Sequence, residues 1–327
     1  MTTTRITRLG LGAAVASLAL LAGCAGAPAA APAAQERAAA SVDLPATVPA
    51  NLATATACDD GNESTMSYEP AAGGPTVDAI RARGALHVGV SADTLLMGSR
   101  NPLSGQIEGF DIDMLNAVST AIFGRPTPLQ IRVITSAQRL EVLEKHEVDL
   151  VARTFTVNCE RWETIAFSAE YLTAGQKVLV TRDSDAQSIE DLEGLGDQRV
   201  CAPEGTTTLE RLQETYPGVE AVAAPTHTGC LVLFQQGKVE AITGDDTILA
   251  GFVAQDPYAK VVGDAFSAEP YGIGVAADQV DLVQFVNGVL DQAKADGSWA
   301  ASYERWLGAL GPAPVPPVSV YGRVDGP

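Results

Sequence analysis

The sequence predicts an α/β protein folded in two lobes. Three observations carry that expectation. Between Leu86 and Ala276, short apolar runs alternate with segments of helical spacing, the pattern that builds parallel-type sheets flanked by helices. The chain has 327 residues, enough for about two domains at roughly 100–200 residues each. It is 46% hydrophobic and 19% charged, too apolar for a disordered chain.

The first element is an export signal. Arg5 and Arg8 precede an apolar run from Leu9 to Leu21, and small residues follow, as in a secretory signal. Leu21-Ala22-Gly23-Cys24 closes the run and resembles a bacterial lipobox, which implies cleavage before Cys24 and acylation of that cysteine. Residues 1–23 are therefore read as a lipoprotein signal peptide, with an ordinary secretory peptide as the competing reading. Segment 24–75 reads as the lipidated cysteine and a flexible tether, because residues 25–57 are mostly Ala, Pro, Thr and Val. The Pro-rich tail 311–327 is expected to be extended. No apolar stretch is long enough to span a bilayer. Attachment to the outer face of a cell membrane would run through the lipid.

Charge narrows the function. The chain carries 21 basic and 40 acidic residues, net −19. Losing residues 1–23 removes Arg5 and Arg8 and no acid, which moves the net charge to −21. A nucleic-acid partner is excluded, since phosphate demands a basic face. With Cys24 set aside, Cys58, Cys159, Cys201 and Cys230 remain, an even number that favours two disulfides in an exported protein. Cys201–Cys230 is favoured because both lie in one predicted α/β unit, and Cys58–Cys159 follows by elimination. No CxxC spacing and only three histidines argue against a metal site. No cofactor is expected.

Along the body, Leu86–Val90 reads as a strand, 111–123 as a helix stopped by Gly124, and Gln130–Ile134 as a strand. Ser136 is the expected cap of a helix reaching about His146. Strands follow at Val148–Ala152, Lys177–Thr181 and Arg199–Ala202, then a helix at Thr206–Thr215. Segments 219–223, 231–236, 239–243 and 246–254 read strand, helix, strand, helix. Strands at Lys260–Val262 and Gly272–Ala276 precede one or two helices over 281–310.

An ordered series of short motifs runs through these elements: Gly109-Phe110-Asp111-Ile112-Asp113; Ile134-Thr135-Ser136-Ala137-Gln138-Arg139; Val148-Asp149-Leu150-Val151; Thr154-Phe155-Thr156 through Glu160-Arg161; Ala166-Phe167-Ser168; Glu204-Gly205-Thr206-Thr207; and Thr243-Gly244-Asp245-Asp246. The series resembles the periplasmic solute-binding proteins for polar amino acids, the extracellular subunits of ABC importers, and especially the glutamate/aspartate/glutamine type. The resemblance covers about 76–308. It implies a two-lobed periplasmic-binding-protein (Venus-flytrap) fold with two crossover hinge strands: lobe 1 from 76–173 and 267–310, lobe 2 from 174–266. The ligand would sit in the cleft, and the lobes would close over it.

Chemistry supports the same residues. A buried amino acid needs a partner for each charge. Arg161 is the carboxylate clamp, since its planar fork binds carboxylate bidentately and the family pattern places an arginine there. Thr154 and Thr156 would face the ligand from one side. Thr206 and Thr207 open a helix whose N–H groups suit an anion. Asp245 matches the family's partner for the α-ammonium, and Asp246 reads as a helix cap. Arg139 and His227 fall where the acidic-amino-acid binders meet the ligand's side chain. Arg153 adds a third arginine to a protein whose overall field repels glutamate. Surface or capping roles compete for each of these residues, among them a helix-surface pair of Arg139 with Glu141 or Glu144. Where relatives often place an aromatic ring, 92–97 has none, so Leu95 or Leu96 is the expected cover.

The expected function is non-catalytic capture of glutamate or aspartate, with glutamine and asparagine as the neighbouring reading, for delivery to an ABC permease or a membrane sensor. The competing class is a dehydratase-type enzyme on the same scaffold, with His227 and a cleft acid as its acid–base pair. No Ser–His or Cys–His nucleophile signature accompanies it.

Overall fold

The computed structural model describes residues 55–196 and 198–324. Cys24, the signal segment and residues 25–54 of the tether lie outside the described residues.

The chain begins with β1 (Met66–Ser67) and α1 (Pro75–Arg83). A first lobe follows: β2 (His87–Val90), β3 (Asp93–Thr94), β4 (Gly98–Arg100), β5 (Ile107–Glu108), α2 (Phe110–Phe123), β6 (Gln130–Val133), α3 (Arg139–Glu144), β7 (Leu150–Val151), α4 (Cys159–Trp162) and β8 (Ile165–Phe167). A long strand, β9 (Leu172–Thr181), crosses into a second lobe. There the chain forms α5 (Ile189–Leu195), β10 (Arg199–Pro203), α6 (Thr207–Thr215), β11 (Glu220–Ala224), α7 (His227–Gln235), β12 (Ala241–Asp245) and α8 (Asp246–Gln255). β13 (Ala259–Tyr271) crosses back, and β14 (Gly274–Ala276), α9 (Val280–Asp296), α10 (Ser298–Leu307) and β15 (Val320–Tyr321) complete the first lobe.

Each lobe is built on a five-stranded sheet, ordered β6-β2-β7-β14-β8 in the first and β11-β10-β12-β9-β13 in the second. The expected parallel pairing holds in the middle of each: β2 with β6 and β7, β10 with β11 and β12. The strands at or beside the crossings run antiparallel, because the chain leaves the first lobe along β9 and returns along β13. These two strands pair with each other from Leu172–Tyr271 to Thr181–Ala259, with a register shift between Val262 and Ser267. They form a two-stranded connection of the kind a hinge requires.

Apolar side chains hold each sheet to its helices. In the first lobe Phe110, Tyr171, Trp299 and Tyr303 form one aromatic cluster, with Phe110 edge-on to Trp299 at 5.8 Å. The second lobe has a core on each face of its sheet, Leu179, Leu231, Ile242 and Leu249 on one side and Val178, Val180, Leu192 and Leu212 on the other. Full burial of such a side chain contributes about 1.5–3 kcal/mol.

Local chemistry shifts several expected limits. Ser136 does not cap the following helix. Thr135 and Gln138 form a reciprocal capping box around a 3-10 turn at Ser136–Gln138, and α3 starts at Arg139. Helix α7 starts at His227 rather than 231, because the Thr226 hydroxyl accepts the Gly229 N–H at 3.0 Å. Asp245, not Asp246, occupies the N-cap position of α8.

The limits drawn for the tether (24–75) and the tail (311–327) also move, because both segments dock on the first lobe. Cys58 is bonded to Cys159 at the start of α4, and Cys201 to Cys230, with Cα separations of 5.4 and 5.5 Å. β1 pairs in parallel with β15. The Arg323 guanidinium lies 3.9 Å over the Trp162 ring and bonds Asp60 at 2.6 Å, while Trp162 Nε1 donates to the Ser64 carbonyl at 2.6 Å. The two chain ends thus clasp α4 from outside. A disulfide closing so long a loop contributes about 4–5 kcal/mol on the chain-entropy model.

Buried acids give the fold a pH signature. Burial pushes Asp111 and Asp246 up to about 6 and Glu170 up to about 7, despite hydrogen bonds that favour their charged forms. An acid whose folded pKa is raised stabilises the fold fully below its unfolded pKa and loses that contribution as pH rises through the folded value. The loss therefore falls between about pH 4 and 7. Asp93 and Glu240, held below the usual carboxylate range, act in the opposite sense under about pH 4, and His227, pushed down to about 3 by burial, does so up to about pH 6.5, a smaller change above pH 5 than the three raised acids make together. Thermal melts should give a higher Tm at about pH 5 than at about pH 8; a Tm that rises over that interval would contradict the assignment.

Candidate functional site

The site forms where strand ends of the first lobe face helix starts of the second. Past β7 the backbone turns at Thr154, which has φ +41°, an unfavourable value for a β-branched residue. Asp111, in the first turn of α2, holds this turn. Its carboxylate accepts the Thr154 N–H at 2.9 Å and the Tyr171 hydroxyl at 2.6 Å. Sequence reasoning quoted the motif containing Asp111 but gave the residue no role; its place beside a glycine at a helix start was the available signal.

Three arginines lie behind and beside this turn, all buried. Arg139 donates to the carbonyls of Ser136 at 2.9 Å, Arg153 at 3.2 Å, Thr154 at 3.0 Å and Gly205 at 2.7 Å, and stands 4.3 Å over the Phe155 ring. This is not a helix-surface pairing with Glu141 or Glu144. Arg161 sits in α4, where Asn158 caps the helix by accepting the Arg161 N–H; its guanidinium donates to the Thr156 carbonyl at 2.6 Å. Arg153 donates to the Ile134 carbonyl at 2.8 Å and to the Ser136 hydroxyl, and lies 3.6 Å from Asp93. Burial pushes all three guanidiniums below their ordinary value. For Arg139, repulsion from Arg161 and then Arg153 adds to burial, ahead of the opposing pull of Asp245.

The second lobe supplies the facing wall. Thr206 caps α6: its hydroxyl accepts the Leu209 N–H at 3.2 Å and lies 2.7 Å from the Pro203 carbonyl. The Thr207 hydroxyl donates to Glu269 of β13 at 2.7 Å. Asp245 ends β12 with one carboxylate oxygen bonded by the Tyr271 hydroxyl and the other, Oδ1, buried without a partner. Burial, reinforced by Glu269, pushes Asp245 well above the usual carboxylate range. His227 opens α7 with Nδ1 buried and unpartnered. Burial, then Arg153, pushes its imidazole far below its ordinary value, so it is neutral at physiological pH. Asp246, the expected cap, accepts the N–H groups of Thr247 at 2.8 Å and Gly175 at 3.3 Å.

Seven of the nine sequence-named ligand residues line one small cavity: Arg139, Thr154, Thr156, Thr206, Thr207, His227 and Asp245, joined by Thr208 and Ile248, which the sequence reading missed. The enclosed space is only about 10 Å³, room for about one water molecule, so the lobes must part to admit a ligand. Arg161 is off this wall but bonds the carbonyl of Thr156, which is on it. Arg153 is one layer behind. Neither Leu95 nor Leu96 covers the cavity. Thr156 and Thr207 also line a wider cavity on the hinge side, together with Glu160, Arg211 and Glu269.

The lobes touch around this space. Arg139 reaches the Gly205 carbonyl, and a Cβ on Gly205 would lie 2.6 Å from the Ala137 Cα. A Cβ on Gly251 of α8 would lie 2.6 Å from the Leu95 carbonyl oxygen. Only glycine permits backbones to approach so closely. A buried acid oxygen lacking a donor, guanidiniums that repel one another, and a threonine-capped helix start form complementary partners for a zwitterion. Among the described residues, no group of His, Cys, Asp and Glu is placed to hold a metal ion.

Comparison with known proteins agrees with this architecture. The profile of the bacterial extracellular solute-binding proteins, family 3, matches residues 86–309. The ABC transporter glutamine-binding protein GlnH of Bacillus subtilis is 33% identical over 232 residues, 71% of this chain and 84% of that protein. The glutamate-binding protein GluB of Corynebacterium efficiens is 33% identical over 258 residues, 75% of this chain and 83% of that protein. Among solved structures, a mutant of ArgBP from T. maritima superposes with a TM-score of 0.66 at 30% identity, covering 71% of this chain and 99% of that one. The relatives are substrate-binding transport proteins rather than enzymes, and this chain belongs to the bacterial extracellular solute-binding proteins, family 3.

Proposed function

We propose that this chain is a lipid-anchored, extracytoplasmic receptor that captures an acidic amino acid, glutamate or aspartate, between its lobes and delivers it to an ABC importer. In this reading the α-ammonium meets Asp245 Oδ1. The α-carboxylate meets the first N–H groups of α6 and reaches Arg161, which stands behind Thr156, as the lobes part to admit it. The side-chain carboxylate lies toward Arg139 and neutral His227. Delivery follows from closure, because a membrane partner that binds the closed form better than the open one reads occupancy. Attachment rests on Cys24, which would carry the lipid.

One observation favours an acid over an amide. Arg139 is buried with Arg161 and Arg153 close enough to repel it, while the facing Asp245 is pushed toward its neutral form, so this end of the cavity favours a carboxylate. A specific observation also favours the amide reading: Arg139 already donates to four backbone carbonyls, leaving few donors for a ligand. Glutamine-binding GlnH and glutamate-binding GluB are relatives at the same identity.

Calorimetric titration decides between them. Soluble protein starting at Ala25, refolded to strip carried-over ligand, should bind glutamate and aspartate at micromolar concentration or tighter and the amides much more weakly. The reverse order would move Arg139 out of direct contact with the ligand, and no binding of any of the four would sink the amino-acid reading. Arg161→Ala should abolish binding of every amino acid, because all share the α-carboxylate. Asp245→Ala should cost about 2–5 kcal/mol of binding, the range for breaking a buried charge pair. Undiminished affinity in either variant would remove that residue from the site.

A further inference from the structure

Asp93 stands in the first lobe where the chain leaves β2, and no ligand role falls to it. Its carboxylate is nonetheless fully engaged. One oxygen accepts the Ser91 hydroxyl at 2.9 Å and lies 3.6 Å from the Arg153 guanidinium. The other accepts the N–H of Thr228 at 3.0 Å, and the Thr228 hydroxyl donates back to the Asp93 carbonyl at 3.3 Å. Thr228 is the second residue of α7, in the opposite lobe.

The contact solves a problem on each side of the cleft. The first N–H groups of a helix have no partner within it. Thr226 satisfies that of Gly229, and Asp93 satisfies that of Thr228 from across the cleft, where a carboxylate also suits the positive end of the helix. Arg153, 1% exposed and off the cavity wall, needs an acceptor for its charge. It has Asp93 and, farther off, Asp111. Against the cost of burial, the His227 imidazole, the Thr228 N–H and then Arg153 hold Asp93 below the usual carboxylate range, and the Arg153 guanidinium is the permanently charged one, 3.6 Å away. A chain of contacts thus runs from Arg153 through Asp93 to the first turn of α7. The preceding residue there, His227, is on the cavity wall.

We propose that Asp93 is the cross-cleft latch of this receptor: it positions α7 of the second lobe in the closed form, and Arg153 acts through Asp93 rather than on the ligand. The proposal rests on the binding reading above. The Asp93–Thr228 bonds exist only when the lobes meet, so they stabilise the closed form without affecting encounter with the open one. Their loss is expressed in the rate of ligand release.

Stopped-flow kinetics with glutamate and glutamine, combined with hydrogen exchange resolved at the Thr228 amide, tests this. In Asp93→Ala, koff should rise about tenfold or more, as for loss of a hydrogen bond to a charged group, with kon within about twofold of the parent. The Thr228 amide should lose protection while the rest of α7 and the first-lobe core keep theirs. Thr228→Val, which deletes only the hydroxyl, should raise koff by less and leave the melting temperature unchanged. Unchanged koff with a protected Thr228 amide in Asp93→Ala would overturn the proposal. So would a general loss of protection with kon and koff affected alike, which marks a purely structural role. If the parent protein binds neither ligand, the amino-acid reading fails by itself. A Thr228 amide no better protected in the parent than in Asp93→Ala would then overturn the latch as well.

Discussion

The structure depends on a set of buried charges that are incompletely partnered within the protein. Asp245 has one carboxylate oxygen with no donor, and Arg139 is crowded by two other guanidiniums. A buried ion without a partner costs several kcal/mol, so such an arrangement persists only where the surrounding structure holds it in place. Burial holds Asp245 toward its neutral form until a cation arrives. In the proposed reading an amino acid's ammonium is that cation, and its carboxylates lie toward Arg161 and Arg139.

Holding that deficit takes most of the fold. Arg139 is held within its own lobe by the carbonyls of Ser136, Arg153 and Thr154 and by an aromatic face, so its position does not wait for a ligand. Arg161 stands on a helix of four residues, too short to be stable alone. Asn158 caps it, Cys58 is bonded to its first residue, and Arg323 and Tyr68 clasp Trp162. Asp111 holds Thr154 in an unfavourable backbone conformation. Opposite, Glu269 on the hinge strand β13 takes the Thr207 hydroxyl, so the helix start facing the ligand is bonded to the segment that bends on closure. Rigid lobes joined by two strands can then close as bodies around an already shaped site.

Much of this was legible in the sequence, and the limits have physical causes. The βαβα rhythm located most strands and the two-lobe division, because buried strands and amphipathic helices leave different periodicities. Thr206 was readable as a cap because helix starts impose a local chemical demand. Arg139, Arg161 and Asp245 came from motif order together with the charge arithmetic of an amino acid. What escaped was non-local. Arg153 shares the motif's neighbourhood, yet its side chain points to Asp93, a residue sixty positions away in sequence, and no spacing rule reports that. Cysteine counting gave the Cys58–Cys159 bond, but the clasp of Asp60 and Arg323 around Trp162 joins segments whose composition resembles that of linkers. The close approach of the Leu95 backbone to Gly251 depends on the closed geometry alone.

The proton balance of binding tests this charge logic most directly. If Asp245 is largely protonated until an ammonium replaces its proton, amino-acid binding releases protons. Calorimetry in buffers of different ionisation enthalpy, from about pH 5 to 8, measures that release. The expected result is proton release by the parent protein that disappears in Asp245→Asn, together with most of the affinity. Binding without proton release across the range, at an affinity that Asp245→Asn leaves intact, would show that the unpartnered carboxylate is not what the ligand answers.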